Sequence, residues 1–197
     1  MEITFIITLI ASYLIGAIPS GVVLTKLTGA GDVRNSGSGN IGATNVYRTA
    51  GRKLGVLTLV GDIIKGVIPV IYAVSFVNFS IEQTAMIACA TFLGHLYPVY
   101  LGFKGGKGVA TALGIYLVLS PLSVLFAAVL FIGLVWIWRY VSLGSIIGAA
   151  AIPPLVYVLE GSLPLLFASL FISIMVVWRH RENIGRLLSG TENKFKV

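Results

Sequence analysis

Long apolar runs separated by short polar segments dominate the chain, and their lengths predict membrane-spanning helices rather than the alternation of a half-buried sheet. Runs over residues 3–25, 54–77, 83–101, 142–159 and 163–178 each approach the roughly 20 apolar residues that a helix needs to cross a hydrocarbon core. The apolar stretch from Gly108 to Trp138 is too long for one span. It is broken at Leu119-Ser120-Pro121, where proline removes a backbone donor and disfavours helix one residue earlier.

Charge placement decides how that stretch is counted. Two crossings, 108–119 and 121–138, put Lys26, Arg34, Arg48, Arg52, Lys53, Lys104, Lys107, Arg139 and the basic tail on one side. The opposite loops then carry Glu2, Glu82 and Glu160 and no cation, as the positive-inside rule requires. The expected architecture is therefore all-α: one transmembrane domain over residues 1–197, seven spans, N-terminus outside and C-terminus cytoplasmic. The fourth span, from Gly108 to Leu119, is only about 18 Å of helix, short of a core about 30 Å thick. It must begin inside Lys104–Lys107, thin the bilayer locally or be shielded by neighbours, and a helix that opens within the membrane offers an anion site.

Composition agrees with lipid as the solvent: 57% of the 197 residues are hydrophobic and 11% charged, more apolar surface than a soluble domain of this size can cover. The net charge of +7 would suggest nucleic acid in a soluble protein, but its placement points to membrane topology, and no nucleic-acid partner is expected. With only Glu2 charged before the first apolar run, that run is expected as a retained span and not a cleaved leader. The single Cys89 lies in an apolar run and is expected to serve packing.

Three segments on the cationic side are too particular for plain connectors. The first, residues 35–48, reads Asn-Ser-Gly-Ser-Gly-Asn-Ile-Gly-Ala-Thr-Asn-Val-Tyr-Arg and supplies backbone amides, hydroxyls, side-chain amides and Arg48. Many donors with few acceptors suit a phosphate. Gly37, Gly39 and Gly42 match a dinucleotide fingerprint, with Asp62 farther on, but no strand precedes them and Asp62 lies at a span, so a Rossmann fold is rejected. The second runs from Gly94-His95 through Lys104-Gly105-Gly106-Lys107-Gly108 to Thr111. It resembles a phosphate-binding P-loop but is one residue short and has Gly108 where Ser or Thr is needed. The third combines Arg139, Ser142 and Ser145 with Arg179-His180-Arg181-Glu182-Asn183, Arg186 and Glu192. Asp62 and Lys65, three apart on the second span, are expected to face inward as a pair. His95 inside the third span is either functional or a satisfied structural histidine.

The donor inventory exceeds what one phosphate needs, and two anionic groups beside hydrocarbon describe lipid head-group chemistry. Two histidines and few inner-side carboxylates form no metal cluster, so no metal or other cofactor is expected. At neither His95 nor His180 does an Asp follow four residues later, the arrangement of many acyltransferases.

Residues 38–48, 94–111 and 180–192 together resemble the PlsY family of bacterial acyl-phosphate–glycerol-3-phosphate acyltransferases, in the right order and across most of the chain. The resemblance implies transfer of a fatty acyl chain from acyl phosphate to the 1-hydroxyl of glycerol 3-phosphate, giving lysophosphatidic acid and phosphate at the cytoplasmic face of the inner membrane. The residues expected to touch substrate are Ser38, Gly39, Asn40, Gly42, Thr44, Asn45 and Arg48, then Lys104, Gly105, Gly106, Lys107, Gly108 and Thr111, then Arg139, Ser142, His180, Asn183 and Glu192. Lys104, Ser142 and His180 are expected to take part in the chemistry. Lys104, Lys107 and the 38–45 amides suit the acyl phosphate, and Arg48, Arg139, Ser142, His180 and Asn183 the glycerol 3-phosphate. Acyl phosphate is a mixed anhydride with a good leaving group, so positioning and charge stabilisation suffice without a covalent intermediate. The proton goes either to the departing phosphate, the preferred route, or to His180, whose flanking arginines favour its neutral form. Expected partners are the two substrates, membrane lipid and a soluble enzyme that makes acyl phosphate. An organic-phosphate transporter is the rival class, although the far face has no polar cluster to receive an anion.

Overall fold

The computed structural model describes residues 2–195, and among them every regular element is helical, with no strand. The chain divides after Val118 into two compact units.

The first unit opens with α1 (Glu2–Gly16) and α2 (Ser20–Leu27), which meet at a 49° bend. The sequence predicted one span here, without the bend. Pro19 explains the difference: it ends α1's register by withholding a backbone N–H and steers Ile18 out of helix. A loop and the short α3 (Ala43–Ala50) follow, then α4 (Arg52–Tyr72), which continues through one wide π turn at Ala73–Val77. Ser80 and Gln83 form a reciprocal capping box that starts α5 (Ile81–Leu96). A single 3₁₀ turn at Val99–Leu101 leads through the glycine-rich loop to α6 (Val109–Leu119). As expected from the sequence, α6 is apolar and short.

Small residues let these helices touch. A side chain at Gly16 would strike the Thr91 backbone, and one at Gly66 would strike the Thr111 backbone, so α1 closes on α5 and α4 on α6 at backbone distance. Such close approach is how helices associate where lipid removes the hydrophobic drive between them. Buried hydroxyls avoid exposure to hydrocarbon by bonding one turn back, as Ser12 does to Thr8 (2.6 Å) and Thr91 to Ile87 (2.8 Å).

The second unit contains α7 (Pro121–Trp138), α8 (Val141–Glu160), α9 (Leu163–Arg179) and α10 (Arg181–Leu188). Proline sits at the first or second position of both α7 and α9, where no backbone donor is lost. α9 and α10 meet at a 55° bend centred on His180. Four stretches (Arg52–Val77, Ile81–Leu101, Pro121–Trp138 and Val141–Glu160) are long and apolar enough to cross a membrane, or six if each bent pair counts once. Large side chains remain on the outside, among them Phe76, Trp136 and Val158, each more than 70% exposed. That is the surface of an integral membrane protein.

Candidate functional site

In the first unit the donor-rich loop at residues 33–42 is held on a small apolar cluster of Val22, Val33, Ile41 and Val46, with Leu54 and Leu101 packed against it. Asn45 organises the loop from within. Its side-chain amide donates to the carbonyls of Asn40 (2.8 Å), Ser36 (3.1 Å) and Val33 (3.2 Å), and its carbonyl accepts the Ser38 N–H (2.9 Å). Asn40 accepts the Gly42 N–H (2.9 Å), and Gly39 N–H bonds back to Ser36. Several donors that the sequence offered to a ligand are thus committed to shaping the loop. Ser38 and Gly39 are exposed, Thr44 is half-buried, and Arg48 projects from α3 at the surface. Arg34 is drawn away by Asp32, which it meets through two hydrogen bonds (2.9 and 2.6 Å). Those bonds hold the Asp32 carboxyl well below the usual carboxylate range.

The second loop of this unit turns back over the end of α5. The last carbonyls of a helix lack intrahelical donors, and here the Gly105 N–H bonds to the Leu96 carbonyl (3.1 Å) and the Gly106 N–H to the His95 carbonyl (3.2 Å). Gly108 adopts φ +84°, a conformation that only glycine takes freely, and a side chain there would strike Phe92. The result places Lys104 exposed and Lys107 half-buried on either side of the double glycine. Next in the chain come the first amides of α6 and, in its first turn, Thr111. Thr111 is fully buried and its Oγ1 has no hydrogen-bond partner among the described residues. Two cations, a helix N-terminus and an unsatisfied buried hydroxyl thus fall within residues 104–111, a corner whose groups suit an anion.

Beneath this loop Lys65 Nζ lies 2.8 Å from Asp62 Oδ1 and donates to the Ile18 carbonyl (2.7 Å), so the inward-facing pair expected from the sequence is present. Nothing in the order of residues places His95 beside this pair, yet its Nδ1 lies 3.9 Å from the same Asp62 oxygen across the α4–α5 contact.

In the second unit Glu192 is the hub. Its Oε1 accepts from Ser142 Oγ (2.8 Å) and Asn183 Nδ2 (2.7 Å), while Oε2 pairs with Arg186 Nε (2.7 Å). The tail beyond it returns to the start of α8, where Phe195 N–H bonds to the Arg139 carbonyl (2.6 Å) and Lys194 lies over the Tyr140 ring. Arg139 itself is exposed in a left-handed turn (φ 63°) between α7 and α8. His180 is buried at the α9–α10 bend, with Nδ1 2.8 Å from the Val176 carbonyl. A carbonyl only accepts, so Nδ1 carries the proton and Nε2 is the acceptor of the neutral ring. Arg139, Ser142, His180, Asn183 and Glu192 therefore lie in one unit, whereas Arg48, grouped with four of them from the sequence, belongs to the other.

Burial alone would resist ionisation of Glu192, but hydrogen bonds from Arg186, Asn183 and Ser142, with the Arg186 charge, hold its carboxyl below the ordinary range. A lowered folded value means the ionised contacts stabilise fully above the unfolded carboxylate pKa of about 4.3 and are lost as pH falls through the folded value. Thermal unfolding in detergent should therefore fall more steeply between pH 5 and pH 3, roughly, in the wild type than in Glu192→Gln. Parallel pH curves would contradict the assignment. Among the described residues no three His, Cys, Asp or Glu side chains lie together as metal ligands would.

A family model described as glycerol-3-phosphate acyltransferase matches residues 6–190. The chain is 64% identical to a glycerol-3-phosphate acyltransferase of Syntrophotalea carbinolica, over 98% of this chain and 99% of that one. It is 45% identical to one from Aquifex aeolicus, over 94% and 96% of the two chains. Its backbone also resembles crystal structures of PlsY (YgiH), an integral membrane glycerol 3-phosphate acyltransferase. The glycerol 3-phosphate form is similar with a TM-score of 0.93 at 43% identity, over 98% of this chain and 96% of that one. The lysophosphatidic acid form is similar with a TM-score of 0.90 at 42% identity, over the same shares of the two chains.

Proposed function

Because the chain belongs to the glycerol-3-phosphate acyltransferase family, we propose that its acyl donor is an acyl phosphate and its product a lysophosphatidic acid. The 1-hydroxyl oxygen of glycerol 3-phosphate attacks the acyl carbonyl, the carbon–oxygen bond to phosphate breaks, and the hydroxyl proton leaves with the phosphate. The observation that carries this reading is the anion-accepting corner formed by Lys104, Lys107, the α6 N-terminus and the buried, unsatisfied Thr111 hydroxyl. It offers the charge and donors needed to bind an acyl phosphate and to stabilise phosphate as it departs.

Arg139, Ser142, His180 and Asn183 are assigned to glycerol 3-phosphate. An oxygen of the departing phosphate takes the proton. One observation favours a second scheme, in which His180 does so: the Val176 carbonyl fixes its protonated nitrogen and leaves Nε2 as the acceptor.

Counting each bent pair as one span and adding the short α6 gives seven crossings, with the cations on the cytoplasmic side of the bacterial inner membrane. A soluble enzyme that produces acyl phosphate is the proposed supplier of the donor.

Purified protein given palmitoyl phosphate and labelled glycerol 3-phosphate, without ATP, should release phosphate and form labelled lysophosphatidic acid in equal amounts. Product only with acyl thioester donors would overturn the donor assignment. Labelled glycerol 3-phosphate accumulating in vesicles with no acylated product would favour transport.

A further inference from the structure

Three ionisable side chains deep in the first unit are more than the anion-accepting corner requires. Asp62, Lys65 and His95 are 3%, 4% and 3% exposed. Burying such groups is costly, and apolar residues of similar volume often serve packing as well or better. Their geometry gives them a different use. Lys65 ties Asp62 (2.8 Å) to the Ile18 carbonyl (2.7 Å), at the bend between α1 and α2. Asp62 in turn faces His95 Nδ1 at 3.9 Å. The opposite edge of the ring lies under the glycine-rich loop, because a side chain at Gly106 would strike His95 Nε2. The same residue's carbonyl holds the Gly106 N–H. His95 thus meets the loop by ring and by backbone, and its Nδ1 faces an α4 carboxylate whose partner lysine reaches the α1–α2 bend.

We propose that Asp62, Lys65 and His95 form a buried positioning unit that sets the height and tilt of the Lys104-Gly105-Gly106-Lys107 loop over α5. None of the three touches substrate in this scheme; they act through the loop. The proposal rests on reading that loop as a substrate-phosphate site. A ring held on one side only, or a carboxylate with nothing to balance it, would let the loop shift. Displacement of about 1 Å is enough to cost roughly 100-fold in rate.

The experiment compares His95→Asn, His95→Gln and the double variant Asp62→Asn/Lys65→Met with Lys104→Ala, measuring kcat, KM for each substrate and thermal unfolding in detergent. The double variant removes both charges together, so neither is left buried alone. His95→Asn and the double variant should raise, by about tenfold or more, the KM of the same substrate whose KM Lys104→Ala raises, with the other substrate's KM unchanged. Gln reaches toward the position of Nε2 and should restore most of the loss in His95→Asn. Folded variants with wild-type KM values would overturn the proposal. So would equal losses for both substrates that track the unfolding temperature, or failure of every variant to fold, since each marks a purely structural core. If Lys104→Ala itself leaves both KM values and kcat unchanged, the reading of the loop as a phosphate site fails first, which separates the two failures.

Discussion

Lys104→Ala should lower kcat/KM by about 10³-fold, the loss typical of removing one preorganised group that faces developing charge, without changing the unfolding temperature. The backbone around Lys104 is held independently of its side chain. Phe103 N–H bonds to Pro98, Lys104 N–H to Leu101, and the two following glycines to the last carbonyls of α5. The ammonium is exposed and makes no ion pair among the described residues. Its removal therefore leaves no buried group without a partner, and the variant should fold as the wild type does. In acyl transfer the negative charge grows on the carbonyl oxygen and then on the leaving phosphate, so a fixed cation beside either lowers the barrier more than it strengthens ground-state binding. Lys104→Arg keeps the charge but replaces a compact ammonium by a planar fork, and should fall between wild type and alanine. Full activity in the alanine variant would pass the role to Lys107. Loss of activity together with a large drop in unfolding temperature would show that Lys104 builds the loop rather than serving the reaction.

The helices of this fold are legible in the chain because the signals that make them are local. Apolar run length, the Ser80–Gln83 cap and the proline at the start of α7 all act within a few residues of where they are read. The short α6 follows from two such signals, Gly108 at one end and Ser120-Pro121 at the other. Pro19 was equally readable, but an apolar run on both sides hides the bend in hydropathy, and only the backbone argument reveals it. The site is less legible because its geometry depends on contacts between distant positions. Asn45 belongs to a donor-rich segment, but the sequence does not say that its amide closes the loop on itself instead of facing outward. His95 looks like an isolated ionisable residue until α4 brings Asp62 beside it. Glu192 reads, through the family resemblance, as a substrate contact in a basic tail. Its meaning appears only when the chain returns to Ser142, fifty positions earlier.

That return makes Glu192→Ala the second large effect, and one that should appear first in folding. The substitution leaves the buried Ser142 hydroxyl and Asn183 amide without their shared acceptor. Hydrogen bonds to a charged group contribute about 1.5–3 kcal/mol each when one partner is removed. The Arg186 contact adds less, because its side chain is 36% exposed and solvent screens the pair. Together the losses amount to roughly 3–6 kcal/mol, a substantial part of the stability of a typical domain. The protein should unfold at markedly lower temperature and retain under about 1% of its turnover, since Ser142 and Asn183 would no longer be held in place. Glu192→Gln divides the hub. Its carbonyl oxygen can still accept from Ser142 and Asn183, but its NH₂ group would face the Arg186 donor, so it should keep part of the stability and activity. The alternative is that Glu192 touches substrate directly, and then alanine would lower activity while the unfolding temperature stayed unchanged. The geometry argues against that outcome. A carboxylate aimed at a phosphate would repel it, whereas one enclosed by an arginine, an amide and a hydroxyl fixes three donors around itself.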